Sequence, residues 1–339
     1  MLNTFRNAMI FLVGLSITKP LMCGKYTNAF LQIGVGPRAL GMGGSYCSLA
    51  DDGHAFYWNP AGLALLRRPR LSGMYGPQFG TISNPLGSYH FVGYAQPISG
   101  DVVLAINWIR LSVDDIPIYS SLQGDSYLDR LRNKSLRPTG EAEGFINDVE
   151  DAYFFSFAKR NEFLLDLGWL YHKVRIDVPF GINLKWIKQS IGDKSGTGLG
   201  MDAGMQLRIH VNDIFQTEKL GITAFGIQVQ DITRTALHWN TRHQDSAPIN
   251  IKWGISYQSP LPLKNNTLVF SFDRDTKWDN PYHIGFEYCL YQTLALRIGS
   301  NDGQFTGGAG LRFKAFQIDY AFLTHSLDSL HRLGCSFSF

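Results

Sequence analysis

The chain has 339 residues, 45% of them hydrophobic and only 17% charged, and its 31 Lys and Arg nearly balance 28 Asp and Glu. That balance lacks the basic surplus a nucleic-acid partner demands, and a mean hydropathy of -0.08 is far too low for a bundle of membrane helices. Aromatics at 13% and 35 glycines, spread along the whole chain, fit strands with one face toward lipid and the other toward water.

The first residues read as an export signal. Arg6 supplies a positive start, Ala8 to Ile17 form a short apolar core, and Thr18-Lys19-Pro20 break any helix. Such a core is about half the roughly 20 residues a helix needs to cross a bilayer. Cys23 sits where a lipidated cysteine could, but Met22 before it is not small, so ordinary cleavage near Gly24 fits better. Removal of residues 1–24 takes Arg6 and Lys19 away and leaves 29 basic against 28 acidic residues. Cys23, Cys47, Cys289 and Cys335 form no C-x-x-C pair; an exported chain permits disulfides, but the spacing pairs none of them.

Residues 25–66 form a block without alternation, dense in glycine at Gly34, Gly36, Gly41, Gly43 and Gly44, with Gly62 further on. Asn59-Pro60 opens a short helix, because Asn caps it and Pro sits where its missing N–H costs nothing. A compact block of this size ahead of a barrel is expected to plug its lumen as a hatch. Asp51, Asp52 and His54 are the one acid–base group in it, and no second cluster completes a metal or catalytic site. A structural role fits better: capping the next helix and pairing with Arg38 or with wall residues such as Lys252, Arg208 or Arg312. Gly34 to Ala39 matches the dinucleotide pattern G-x-G-x-x-A, but no strand precedes it and Pro37 stands where a phosphate-binding amide would help.

From residue 69 onward the pattern is alternation, the signature of a strand with two unlike faces. Ile249, Ile251, Trp253, Ile255 and Tyr257 oppose Asn250, Lys252, Gly254, Ser256 and Gln258. Phe180, Ile182, Leu184 and Trp186 oppose Gly181, Asn183 and Lys185, and Phe316, Ile318, Tyr320 and Phe322 oppose Gln317 and Asp319. The spacing predicts about fourteen strands, over 69–79, 87–97, 101–111, 151–159, 178–190, 200–210, 219–230, 247–258, 264–275, 281–290, 292–300, 304–314, 315–325 and 329–339. An even number closes an antiparallel barrel without an edge, which lipid requires. The expected fold is an all-β transmembrane barrel over 67–339. Longer connections are expected at 112–150, 191–199, 231–246 and 276–280, and shorter ones between; the apolar stretch 160–177 is the exception, read as a turn at the membrane interface or as two extra strands. The acidic and basic loop 112–150 is read as solvated, or as a surface that contacts a partner.

The chain ends on Phe337 and Phe339. A last strand finishing on an aromatic resembles the signal read by the barrel-assembly machinery, which with outer-membrane lipid is an expected partner. No G-x-S-x-G and no H-E-x-x-H occurs; the reading is of a non-enzymatic protein with no catalytic residue, no metal and no cofactor, located in the outer membrane.

Phe30 to Gly44, then Ala50-Asp51-Asp52, then Tyr57 to Ala64, resemble the opening of the PorV/PorQ family of outer-membrane proteins linked to type IX secretion. Gly310 to Phe313, Phe316 to Phe322 and His331 to Leu333 resemble that family's closing strands, whereas Pro37 and His54 depart from its pattern. Wider relatives are the FadL-like long-chain fatty acid channels, whose hatch carries an element similar to Asn59-Pro60-Ala61 and whose barrel has fourteen strands. The resemblance implies a barrel that binds the sorting domains of secreted cargo or associates with the translocon. The alternative is a FadL-like uptake channel for hydrophobic small molecules, and a third reading is an envelope structural protein. A channel should show an apolar pocket between hatch and wall and a lateral opening; a shuttle should show a filled lumen and broad polar or aromatic loops.

Overall fold

The structure is a computed structural model that describes residues 27–81, 84–136, 140–166, 168, 173–261, 265–276, 281–326 and 328–339. The expected signal peptide, Cys23 and the cleavage position lie outside the described residues.

Beyond residue 69 most of the described chain is strand. In chain order the strands are β1 (Arg70–Thr81), β2 (Asn84–Ser99), β3 (Val102–Ile118), β4 (Gly144–Lys159), β5 (Glu162–Asp166), β6 (Lys173–Asp177), β7 (Phe180–Ile191), β8 (Lys194–His210) and β9 (Ile222–Gln230). There follow β10 (Ala236–Trp239), β11 (Gln244–Ser246), β12 (Asn250–Pro260), β13 (Thr267–Asp275), β14 (Tyr282–Leu290), β15 (Leu294–Asn301), β16 (Gln304–Phe313), β17 (Phe316–Leu323) and β18 (Leu330–Ser338). Each pairs antiparallel with its neighbour, and the ring runs β1 to β4, then β7 to β9, then β12 to β18, and closes by β18 on β1. That is a closed barrel of fourteen strands. The remaining four form two hairpins, β5 with β6 and β10 with β11, which branch from the ring at β8.

Within the stretch 160–177, Glu162–Asp166 and Lys173–Asp177 therefore pair with each other outside the ring, and the count stays at fourteen. One expected loop is absent: instead of a connection over 191–199, β7 passes to β8 through Gly192 and Asp193 alone, with Ser190 paired to Ser195. Glycine at 196, 198 and 200 reads locally as loop, yet each lies against a side chain or backbone of a neighbouring strand. The loop expected over 112–150 shrinks to 119–143, because β3 and β4 run on beyond the wall. Within it Ser126 caps a helix, Tyr127–Arg132, by accepting the Asp129 N–H at 3.2 Å.

We call the rim that bears loop 119–143 the upper rim, and the rim that bears Pro69 and Phe339 the lower rim. Outward positions are apolar around the ring: Leu104, Ile106, Phe155, Leu184, Trp186, Ile227, Trp253, Phe270, Ile298, Ile318 and Leu333 are all exposed. Toward the upper rim this belt ends in aromatics and charge, with Tyr153 stacked on Trp186 at 5.4 Å and Asp151 taking 2.8 Å bonds from the Trp108 indole and from Arg110. An apolar band edged by aromatic rings is the profile of a barrel solvated by lipid. The protein is an outer-membrane barrel: a sheet closed on itself with an apolar outer belt is the form in which strands cross a lipid layer.

Candidate functional site

Inside the ring the chemistry inverts. Along β7 and β8 the buried polar residues are Asn183, Lys185, Gln189, Asp202, Gln206 and Arg208; further round they include Asn250, Asp273, Asp275, His283, Glu287, Arg297 and Asp319. Residues 27–66 pack against these groups. Two short 3-10 helices, Ala29–Gln32 and Pro60–Leu65, and two single helical turns, Pro37–Gly41 and Ala55–Trp58, make up the segment.

Most of the singled-out residues converge. Arg38 bonds Glu287 of β14 through two 2.9 Å contacts and Asp51 at 2.6 Å, and Glu287 in turn holds Arg297, which reaches Asp319. Burial weakens the Arg38 cation, but Asp51 and Glu287 more than offset this and hold its proton more firmly than usual. Asp52 accepts the Tyr46 hydroxyl at 2.9 Å and the His54 N–H at 2.9 Å. Burial pushes the Asp52 carboxyl up, yet His54, Arg38 and Arg70 together hold it well below the usual carboxylate range. The expected pairing partners divide accordingly: Lys252 takes Asp275 rather than Asp51, and Arg312 bonds Gln317.

Asn59 caps Pro60–Leu65 by accepting the Ala61 N–H at 3.2 Å, and its amide donates to Cys47 O at 2.9 Å and to Met205 O of β8 at 3.1 Å. The helix is 3-10 rather than α, which suits its length. Gly34, Gly36, Gly43 and Gly44 adopt φ between 70° and 88°, a region costly for any other residue. Gly41 and Gly62 stand close to Gly308 and to the Ala50 backbone.

The wall answers with glycines of its own. A Cβ at Gly226 would stand 2.5 Å from Cys47 O, and one at Gly285 equally near Met42 O; Gly181 and Gly204 meet Pro60 and Asn59. The segment's backbone thus lies on the strands with no side chain between. Asp273 accepts both the Tyr46 and the Cys47 N–H at 2.6 Å, and Gln206 donates to Ala50 O at 3.0 Å.

The wall over β1 to β4 differs, and the residue pattern alone did not single it out. Tyr89, Phe91, Ile109, Ala152 and Phe154 are buried there against Phe56, which stacks on Phe91 at 5.5 Å and meets Phe154 edge-on at 5.1 Å. The available signal is the run Tyr89-His90-Phe91-Val92-Gly93-Tyr94-Ala95, apolar on both faces where other strands alternate.

Two cavities flank Gln32 and Ile33. One, of about 230 Å³, has a mixed lining in which Trp58 stands beside the ion pairs Lys185–Asp202 and Lys252–Asp275, at 2.7 and 3.1 Å. The other, of about 430 Å³, lies toward the upper rim between Ala29 and Ile33 on one side and Leu86, Leu111, Val113 and Leu323 on the other. Size and apolar lining suit a small hydrophobic ligand. Among the described residues no group of three or more His, Cys, Asp or Glu is placed to hold a metal.

Phe337 and Phe339 lie at the lower rim, where Phe339 donates its N–H to Pro69 O at 3.1 Å and Phe337 packs on Phe316 with ring centroids 4.5 Å apart.

No protein-family model matches the chain, and no curated protein matches it by sequence. Solved structures do. The P. putida toluene transporter TodX aligns at a TM-score of 0.53 and 11% identity, covering 90% of this chain and 99% of its own. A TodX monoaromatic hydrocarbon channel with the deltaS2 mutation gives 0.52 at 10% identity, over 90% and 98%. A Pseudomonas aeruginosa FadL homologue gives 0.46 at 9% identity, over 90% and 98%. At such identities the likeness is one of fold: the chain shares its closed β-barrel architecture with these outer-membrane proteins.

Proposed function

We propose that this protein is a channel that admits hydrophobic small molecules through the outer membrane, with residues 27–66 as a hatch that blocks free diffusion. The observation that carries this reading is the apolar cavity of about 430 Å³ between Ile33 and the upper wall. Such a cavity gives an apolar solute a place to leave water before it meets the polar, ion-paired lumen, where burial would be unfavourable. The shared fold with a toluene transporter is consistent with it. The upper rim then faces outward, in keeping with its longer loop.

The test is entry of N-phenyl-1-naphthylamine into cells whose lipopolysaccharide leaflet excludes it; the probe fluoresces on reaching phospholipid. Cells that express the protein should fluoresce faster, and Leu111→Trp, which fills the cavity, should slow entry on the order of tenfold. Equal rates with and without the protein would sink the reading.

A second reading, the secretion role that the resemblance implies, is favoured by loop 119–143. Tyr119, Leu122, Tyr127, Leu128 and Leu131 are exposed there, an apolar set on an otherwise charged loop. Its test is a deletion strain: cargo with type IX sorting domains should fail to reach the surface, and normal display would remove this reading.

A further inference from the structure

The arm formed by β5 and β6 at the lower rim lies outside both the ring and the lumen. Its register is that of the wall above it. Lys159 stands opposite Phe180, Asn161 O accepts the Val178 N–H at 2.7 Å, and Glu162 stands opposite Asp177, with no slip between. The arm therefore prolongs the β4–β7 pair past the rim, where β3 no longer accompanies it and β8 follows only as far as Ile209. Charge clips its base. Arg160 reaches Asp177 at 2.6 Å and Glu162 at 2.7 Å, and Arg175 bonds Asp213 at 3.0 Å.

An unbroken register carries the two faces of the wall onto the arm, because successive side chains alternate. Phe155 points to lipid on β4, so Phe163 and Leu165 point the same way on β5, opposite Ile176 and Val174. Both Phe163 and Leu165 are exposed. Leu164 and Arg175 share the other face with Asp177, which stands opposite the buried Arg208.

The lipid-facing run of the wall above is short. On β4 it holds Tyr153, Phe155 and Phe157, between Asp151, whose cross-strand neighbours are Arg110 and Lys188, and the exposed Lys159. On β14 the same run is Tyr282, Ile284, Phe286, Tyr288 and Leu290, with no charge in it. Asp151 and Lys159 are eight residues apart, about 19 Å along the membrane normal for a strand tilted by about 45°. The apolar band of such a barrel stands about 25 Å tall. Phe163 lies four residues lower, about 10 Å, and makes up the difference.

Among the described residues β5 pairs with β6 alone, so its outer edge carries unpaired N–H and C=O groups. Hydrocarbon does not tolerate such an edge, whereas hydrated head groups solvate it. The apolar face draws the arm to the membrane, and the open edge keeps it at the surface. We propose that the β5–β6 arm is a membrane-surface anchor, lying along the head-group boundary of the phospholipid leaflet with Phe163 and Leu165 turned to the acyl chains. There it holds the depth of the β4–β7 sector, where the ring's own apolar run falls short. Lys159 lies in between, with a stem long enough to place its ammonium among the phosphates. A strand of another protein would use the edge and leave the apolar face uncovered. The proposal needs only the outward orientation of the upper rim, not the uptake reading.

Nitroxide labels in vesicles of palmitoyl-oleoyl phosphatidylethanolamine and phosphatidylglycerol read the depth of the arm. Cys23→Ala, Cys289→Ala and Cys335→Ala leave only the buried Cys47. To that background Phe163→Cys, Leu164→Cys or Leu165→Cys is added one at a time and labelled. All three side chains are exposed, so no packing is lost, and heat-dependent gel mobility confirms an intact barrel. Leu184→Cys in the lipid-facing belt and Gln123→Cys in loop 119–143 set the two limits. The ratio of oxygen to nickel-chelate collisions at Phe163→Cys and Leu165→Cys should fall between those limits. At Leu164→Cys it should be lower than at both neighbours, the period of two that one membrane-facing side imposes. Three ratios at the Gln123→Cys limit would place the arm in water and overturn the anchor. Three at the Leu184→Cys limit would place it in the acyl core and overturn it equally. Labels that become immobile only on addition of a periplasmic extract would also overturn it, in favour of a protein strand on the open edge. None of these results bears on naphthylamine entry, so the uptake reading stands or falls separately.

Discussion

The two halves of the inner wall hold the N-terminal segment by different physics. Over β1 to β4 the contact is aromatic and aliphatic, with Phe56 set between Phe91 and Phe154. Over β7 to β17 it is hydrogen bonds and buried ion pairs, from Asn183 on Phe56 O at 2.7 Å to Arg38 on Glu287. Apolar contact stabilises without direction, so it tolerates small displacements. Buried charge does not, because each ion needs its partner at hydrogen-bond distance. The polar half therefore sets the position of the segment, and the apolar half adds burial. Both cavities lie beside residues that belong to neither anchor, Gln32 and Ile33.

The contrast can be broken first at its most charged point. Lys185 holds Asp202 and Asp231, each at 2.7 Å, and all three are buried. Lys185→Ala strands two carboxylates and should cost about 3–5 kcal/mol, read as a lower urea midpoint for the barrel in detergent micelles. A loss under 1 kcal/mol would mean that water already reaches the pair. On the other half, Phe56→Ala empties a packed aromatic site and should cost about 3 kcal/mol in the same measurement. Here proteolysis within 27–66 should become faster while the pH dependence of unfolding stays as it was.

The smallest effect separates the halves by pH. The Asp52 carboxyl is held below its ordinary value in the folded chain, so its contribution is complete above about pH 4 and is lost as pH falls further toward the depressed folded value. The urea midpoint should be flat from neutral pH to about 4 and then decline, and Asp52→Asn should flatten part of that decline. A decline beginning near pH 6 would point to histidine instead.

Much of the barrel is legible in the residues alone. All fourteen strand positions are legible, most of them by alternation, and the Asn59 cap by Asn-Pro, because both signals are local: a strand's face and a helix's first turn depend on residues within a few positions. The loop expected at 191–199 is absent for the same reason, since its glycines answer to neighbouring strands and not to local turning. The site was less legible. Arg38, Asp51 and Asp52 could be singled out as a group, but the choice of Glu287, 249 residues away from Arg38, depends on how the ring closes.

What the sequence determined by itself was the strand rhythm, the lipid-facing side and the apolar character of 160–177, all consequences of side-chain type along a local backbone. What only the tertiary structure decided was which ions pair across the lumen, where an apolar cavity remains, and that β5 and β6 prolong the wall from outside the ring. Those outcomes depend on closure, which brings the first strand against the last, fixes each strand's neighbours and leaves β5 and β6 beyond them.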